Sequence, residues 1–188
     1  MSGPRLNLRD VKTLIVDRDH FTASLVGQML RGFGMEGPAI LGTAAAARLY
    51  LKSAAPDLIL VEAVLPDEPS HELIAWIRHA TPEPLRFVPI IVLSGYTQLS
   101  AVRAARDAGA HFVVKKPVSP KALFERIAWV ARSERPFLET ESFAGPDRRF
   151  GTKDPPDGAY KRPGDDEKGG AAKTAAPAQS ALGKGFAT

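Results

Sequence analysis

The sequence contains no cysteine, which removes disulfide scaffolds, thiolate metal sites and cysteine nucleophiles in one step. It has no apolar run approaching the ~20 residues of a membrane span, and its start, MSGPRLNLRDVK, lacks the apolar stretch of a signal peptide. A soluble, cytoplasmic protein without membrane insertion is expected. Aliphatic residues run out early: beyond Val130 only Leu138 and Leu182 remain of the Ile, Leu, Val and Met types. Such a segment buries too little apolar surface to offset its ordering entropy. Neither sign of charge dominates. Residues 1–136 hold 17 basic and 13 acidic side chains and residues 137–188 hold eight of each, so the net +4 belongs to the first part.

What is present, before that decline, is an alternation of short apolar runs with helical patterns, the signature of a wound α/β sheet. Strands are predicted at Val11–Val16, Pro38–Leu41, Leu58–Val61, Ile90–Leu93 and Phe112–Val114. Between them, Phe21, Leu25, Val26, Met29, Leu30 and Phe33 repeat at helical spacing and stop at Gly34. A second helix is predicted over Ala44–Lys52 with Thr43 as its cap, and a third after Ser70. A fourth runs from about Thr97 to Asp107, and a fifth opens at Ser119 and Pro120. This gives a five-stranded, doubly wound parallel sheet over residues 11–135, an arm over 1–10, and a mostly disordered tail over 136–188.

In a parallel sheet of this kind the carboxyl ends of the strands converge. Asp17, Arg18 and Asp19 end the first strand, Glu62 the third, Ser94 the fourth, and Lys115, Lys116 and Pro117 the fifth. With "LIVDRD", "PDLILVEAVLP", "PIIVLSG" and "GAHFVVKKP" in this order and spacing, residues 11–133 resemble a CheY-like receiver domain of two-component signalling. The resemblance implies a phosphoacceptor at the end of the third strand, Mg²⁺ held by an acidic pair after the first, a hydroxyl at Ser94 and a lysine at Lys116, whose bond to Pro117 is usually cis. This chain departs from that pattern where the chemistry occurs. Glu62 stands at the acceptor position, Arg18 at that of a metal ligand, and Val113 at that of the aromatic switch residue. A guanidinium stays protonated and pairs with carboxylates, so Arg18 is expected to neutralise Asp17, Asp19 or Glu62 without Mg²⁺. Glu62 is expected to reach Lys116 or Ser94. The implied molecule is a stand-alone pseudo-receiver, not phosphorylated at the usual position and not an enzyme.

The tail carries a second constellation. Gly145 and Pro146 suggest a turn presenting Asp147, Arg148, Arg149 and Phe150, and Tyr160, Lys161 and Arg162 repeat the pairing of aromatic and base. Arginine grips phosphate and guanine edges bidentately and stacks on base faces. The arginine-rich segment 143–162 resembles the C-terminal extension of CheY-like cyclic di-GMP effectors. That implies cyclic di-GMP as ligand, through Arg148, Arg149, Phe150, Tyr160 and Arg162, and a protein partner such as the flagellar motor switch or a signalling kinase. A partner face rich in Arg103, Arg106, Lys115, Lys121 and Arg126 suits an acidic surface.

Other readings stay open at this point. One is a conventional response-regulator adaptor acting only through protein contacts. Another is a haloacid-dehalogenase-like phosphatase using Asp17 and Asp19, which would need a further acidic pair on a later strand. Sequence-specific DNA binding is not expected, because the tail is too poor in apolar residues for a helix-turn-helix. The four histidines show no metal-ligand spacing, and Trp76 and Trp129 sit on apolar helix stripes.

Overall fold

The computed structural model describes residues 7–95, 99–132, 137–140, 143–147 and 173–175. Its strands are β1 (Thr13–Val16), β2 (Ala39–Leu41), β3 (Leu58–Glu62), β4 (Ile90–Ser94) and β5 (Phe112–Lys115). They form one parallel sheet in the order β2-β1-β3-β4-β5. Helices α1 (His20–Gly32), α2 (Ala44–Leu51), α3 (Ser70–Ala80), α4 (Leu99–Asp107) and α5 (Pro120–Arg132) connect or follow them.

Alternation along the strands divides the apolar residues between the two faces of the sheet. Ile15, Leu58, Leu60, Ile91, Leu93, Phe112 and Val114 pack with residues of α1 and α5. Leu14, Val16, Ile59, Val61, Ile90 and Val92 pack with residues of α2, α3 and α4. Both faces of the central strands are buried, as a sheet covered by helices on two sides requires. Phe112 and Val113 consequently lie on opposite faces.

Local chemistry sets the ends of the elements. The Asp19 carboxylate accepts the Phe21 and Thr22 amides at the start of α1, and Thr43 Oγ1 accepts the Ala46 amide in α2. The strand predicted from Val11 begins at Thr13 instead, because the Val11 amide donates to the Leu8 carbonyl in a preceding turn. The Lys116–Pro117 bond is cis, and so is Glu83–Pro84.

Within the tail expected to be mostly disordered, the described residues after α5 form a hairpin of β6 (Phe137–Thr140) and β7 (Phe143–Pro146), with β8 (Lys173–Ala175) pairing along the other edge of β6. Gly145 and Pro146 therefore lie in a strand, not in the predicted turn. Proline is tolerated there because β7 is an edge strand. Phe137 and Ala144 are buried with Phe87, which sits in a short 3-10 turn (Leu85–Phe87) before β4. Two aromatic rings supply the apolar surface that aliphatic residues do not.

Candidate functional site

Parallel strands ending at one edge bring Asp17, Glu62, Ser94 and Lys116 together, with Val16 opposite Val61, Glu62 opposite Leu93 and Ser94 opposite Lys115 in register. Asp17 is almost wholly buried. Its Oδ2 accepts from Lys116 Nζ at 2.6 Å, and its Oδ1 accepts the Asp19 amide at 2.9 Å. Lys116 Nζ also stands 3.5 Å from Glu62 Oε1, so one ammonium bridges the two carboxylates. Arg18 approaches the other oxygen of Glu62 at 3.7 Å from its exposed position. That is an ion pair too long for a hydrogen bond, and Glu62 Oε2 has no hydrogen-bond partner. Burial raises the pKa of Glu62 above its ordinary value, assisted by its contact with Asp17 and opposed by Lys116 and Arg18. Ser94 is buried beside this group, and its carbonyl accepts the Lys116 amide at 2.8 Å.

Asp19 does not join the cluster. It is spent on α1, where the Thr22 hydroxyl at 2.7 Å is the largest influence lowering its pKa. Where the receiver pattern has a second acidic oxygen ligand for Mg²⁺, this chain has Arg18, whose guanidinium is a cation and cannot ligate a metal. Both Asp17 oxygens accept hydrogen bonds, Asp19 faces the helix, and Arg18 supplies a fixed cation. Among the described residues no group of three His, Cys, Asp or Glu side chains is arranged to hold a metal ion.

Arg103, Lys115 and Lys121 are exposed and Arg106 is half-buried, in keeping with a basic face on α4, β5 and α5. Arg126 is corrected: it is buried, with its guanidinium 5.4 Å from the centre of the Phe112 ring. Arg148, Arg149, Phe150, Tyr160 and Arg162 lie outside the described residues.

Three residues hold places that the sequence does not announce, two of them beside the site. Asp67, in the loop after β3, accepts the Ala44 and Ala45 amides at 3.0 and 2.8 Å, and these hydrogen bonds lower its pKa. Its neighbour Glu68 pairs with Arg48 of α2 at 2.8 Å. Together they clamp the loop that follows Glu62 onto the start of α2. The third is Arg78, which is fully buried although it is a cation. Its place on the stripe of Ile74 and Ile77 in α3 was the available signal.

Residues 13–128 match the model of the response regulator receiver domain. The DNA-binding response regulator MtrA of Mycolicibacterium smegmatis is 29% identical over 116 residues, covering 62% of this chain and 48% of the relative. The chain thus spans about half the length of the curated relatives it matches. Among solved structures, a CheY-like receiver domain protein from Methanospirillum hungatei is 29% identical with a TM-score of 0.56, covering 63% of this chain and 91% of that one. The receiver domain of a sensor histidine kinase from Pseudomonas aeruginosa, solved with magnesium coordinated in its active-site cleft, has a TM-score of 0.55 at 23% identity. It covers 61% of this chain and 91% of its own, and shows the shared fold. The sheet order, the acidic, hydroxyl and lysine positions at the strand ends, and the match over residues 13–128 place this chain in the response regulator receiver domain family.

Proposed function

We propose that this receiver signals without phosphorylation, its pocket held in one state by its own charges. The observation that carries this reading is Lys116, which bridges Asp17 at 2.6 Å and Glu62 at 3.5 Å. Glu62 extends one methylene farther than an aspartate would, and so takes part of the space an acyl phosphate would need. Arg18 adds a permanent positive charge on the solvent side. Incubation with acetyl phosphate and Mg²⁺, followed by intact-mass measurement, is expected to leave the chain unmodified. An acid-labile gain of one phosphoryl group on Glu62 would overturn the reading.

The ligand we propose is cyclic di-GMP, bound through Arg148, Arg149, Phe150, Tyr160 and Arg162. Support comes from the chemistry of paired arginines beside aromatic rings and from a receiver of this family as their carrier. The partner would be an acidic protein surface, such as the flagellar motor switch, meeting Arg103, Arg106, Lys115 and Lys121 in the cytoplasm. Isothermal titration should give saturable binding of cyclic di-GMP by the full chain and at least tenfold weaker binding by the Arg148→Ala, Arg149→Ala double variant. Equal affinity for both, or no heat with the parent, refutes it.

A further inference from the structure

Arg78 lies on α3 at the far edge of the molecule from the acidic pocket, by the amino ends of β4 and β5. Its Nε and Nη2 donate to the Gly109 carbonyl at 3.2 and 3.0 Å, in the turn between α4 and β5. Its Nη1 donates to the Arg86 carbonyl at 2.7 Å, in the 3-10 turn before β4. The guanidinium also stands 5.3 Å from the centre of the Phe137 ring, at the start of the hairpin. Burial lowers its pKa to about 9, which leaves it a cation at neutral pH. A buried cation is costly unless its donors are matched, and here the matching comes from three separate segments. Around it, Phe87 and Phe137 meet edge to face at 4.7 Å, and Arg86 pairs with Glu139 of β6 at 3.3 Å. Backbone is packed on backbone as well, since Gly109 and Gly145 approach so closely that a methyl group on either would strike the other strand or turn.

We propose that the hairpin of residues 137–146 is a docked coupler. Through Arg78, its position and that of the α4–β5 turn are a single linked variable, so that displacing the hairpin loosens the turn that leads into β5. The physical basis is that Arg78 cannot keep its carbonyl partners and its ring partner if either segment moves alone. By linkage the effect is reciprocal: displacing that turn loosens the hold on the hairpin. This inference is independent of the ligand proposed for the tail.

Hydrogen exchange on the full chain tests it. Phe137→Ala lies outside the parallel sheet and leaves its core intact. It should accelerate exchange of the hairpin amides, and also of Ala110 and His111, at least tenfold, while Val16 and Val61 stay within twofold of the parent. Ala110 and His111 staying within twofold would overturn the proposal, whether or not the hairpin amides respond. In an Arg78→Met background the same Phe137→Ala change should add less than twofold at Ala110 and His111. A full tenfold addition there would show that the link does not run through Arg78. Gly145→Ala is a second perturbation of the hairpin that leaves Arg78 in place, since the new methyl group would lie 2.6 Å from the Phe143 ring and 2.9 Å from Gly109 Cα. Unchanged exchange at Ala110 and His111 in that variant also counts against the coupler.

Discussion

Lys116→Met is expected to destabilise the domain by about 2 kcal/mol, less than the roughly 3–5 kcal/mol typical of a sealed buried pair because this pocket opens partly to solvent. The cost arises because Asp17 is buried, and losing Lys116 leaves its Oδ2 facing Glu62 without the ammonium that bridges them. Asp17→Asn should cost less, since Lys116 then keeps Glu62 as a partner. The order of the two variants in urea denaturation is therefore the sharper measurement. A larger loss for Asp17→Asn would mean that Asp17 is held chiefly by the Asp19 amide and that Lys116 does not organise the pocket.

Gly109→Ala should cost roughly 2–4 kcal/mol, combining strain at a positive φ with a steric clash. Gly109 has φ +102°, a region an alanine rarely occupies. An added Cβ would fall inside contact distance of the Ala144 carbonyl oxygen and 3.1 Å from the Arg78 side chain. Gly34 provides the control: its φ is +89°, but nothing lies within 4 Å of a Cβ built there. Gly34→Ala should therefore lose only the conformational part, about 1–2 kcal/mol. The excess at Gly109, read from thermal or urea unfolding of the two variants, measures how firmly the hairpin is seated. Equal losses would show that β7 gives way freely.

Much of this architecture is legible in the sequence for a simple reason. Strands covered on both faces are near-continuous apolar runs, and "LIV", "LILV" and "IIVL" are long enough to be seen without knowing their neighbours. Once those runs are ordered, parallel topology alone sends Asp17, Glu62, Ser94 and Lys116 to the same rim. Asp19 was harder to place. Its sequence position beside Asp17 suggests a shared site, yet it also precedes α1 by one residue, and the orphan amides of that helix claim it.

The hairpin was hidden for the opposite reason. Its apolar content is low, and a count of aliphatic residues treats Phe137, Phe143 and Ala144 as isolated. The burial of Phe137 and Ala144 comes from a surface made by α3, the 3-10 turn and Gly109, residues that lie 28 to 74 positions away in the chain. Arg126 was misplaced likewise, because a cation on a helix reads as exposed until the ring of Phe112 is found beneath it.

The sequence by itself determined the parallel sheet, the family, and the set of charges at the strand ends, because burial on two faces and strand polarity are properties of local pattern. Only the tertiary structure decided which charges pair, which are spent on capping, and that the chain after α5 folds back onto the domain. Those outcomes depend on distances between groups far apart in sequence. A buried Arg78 shared by three segments is a fact of packing that no single segment encodes.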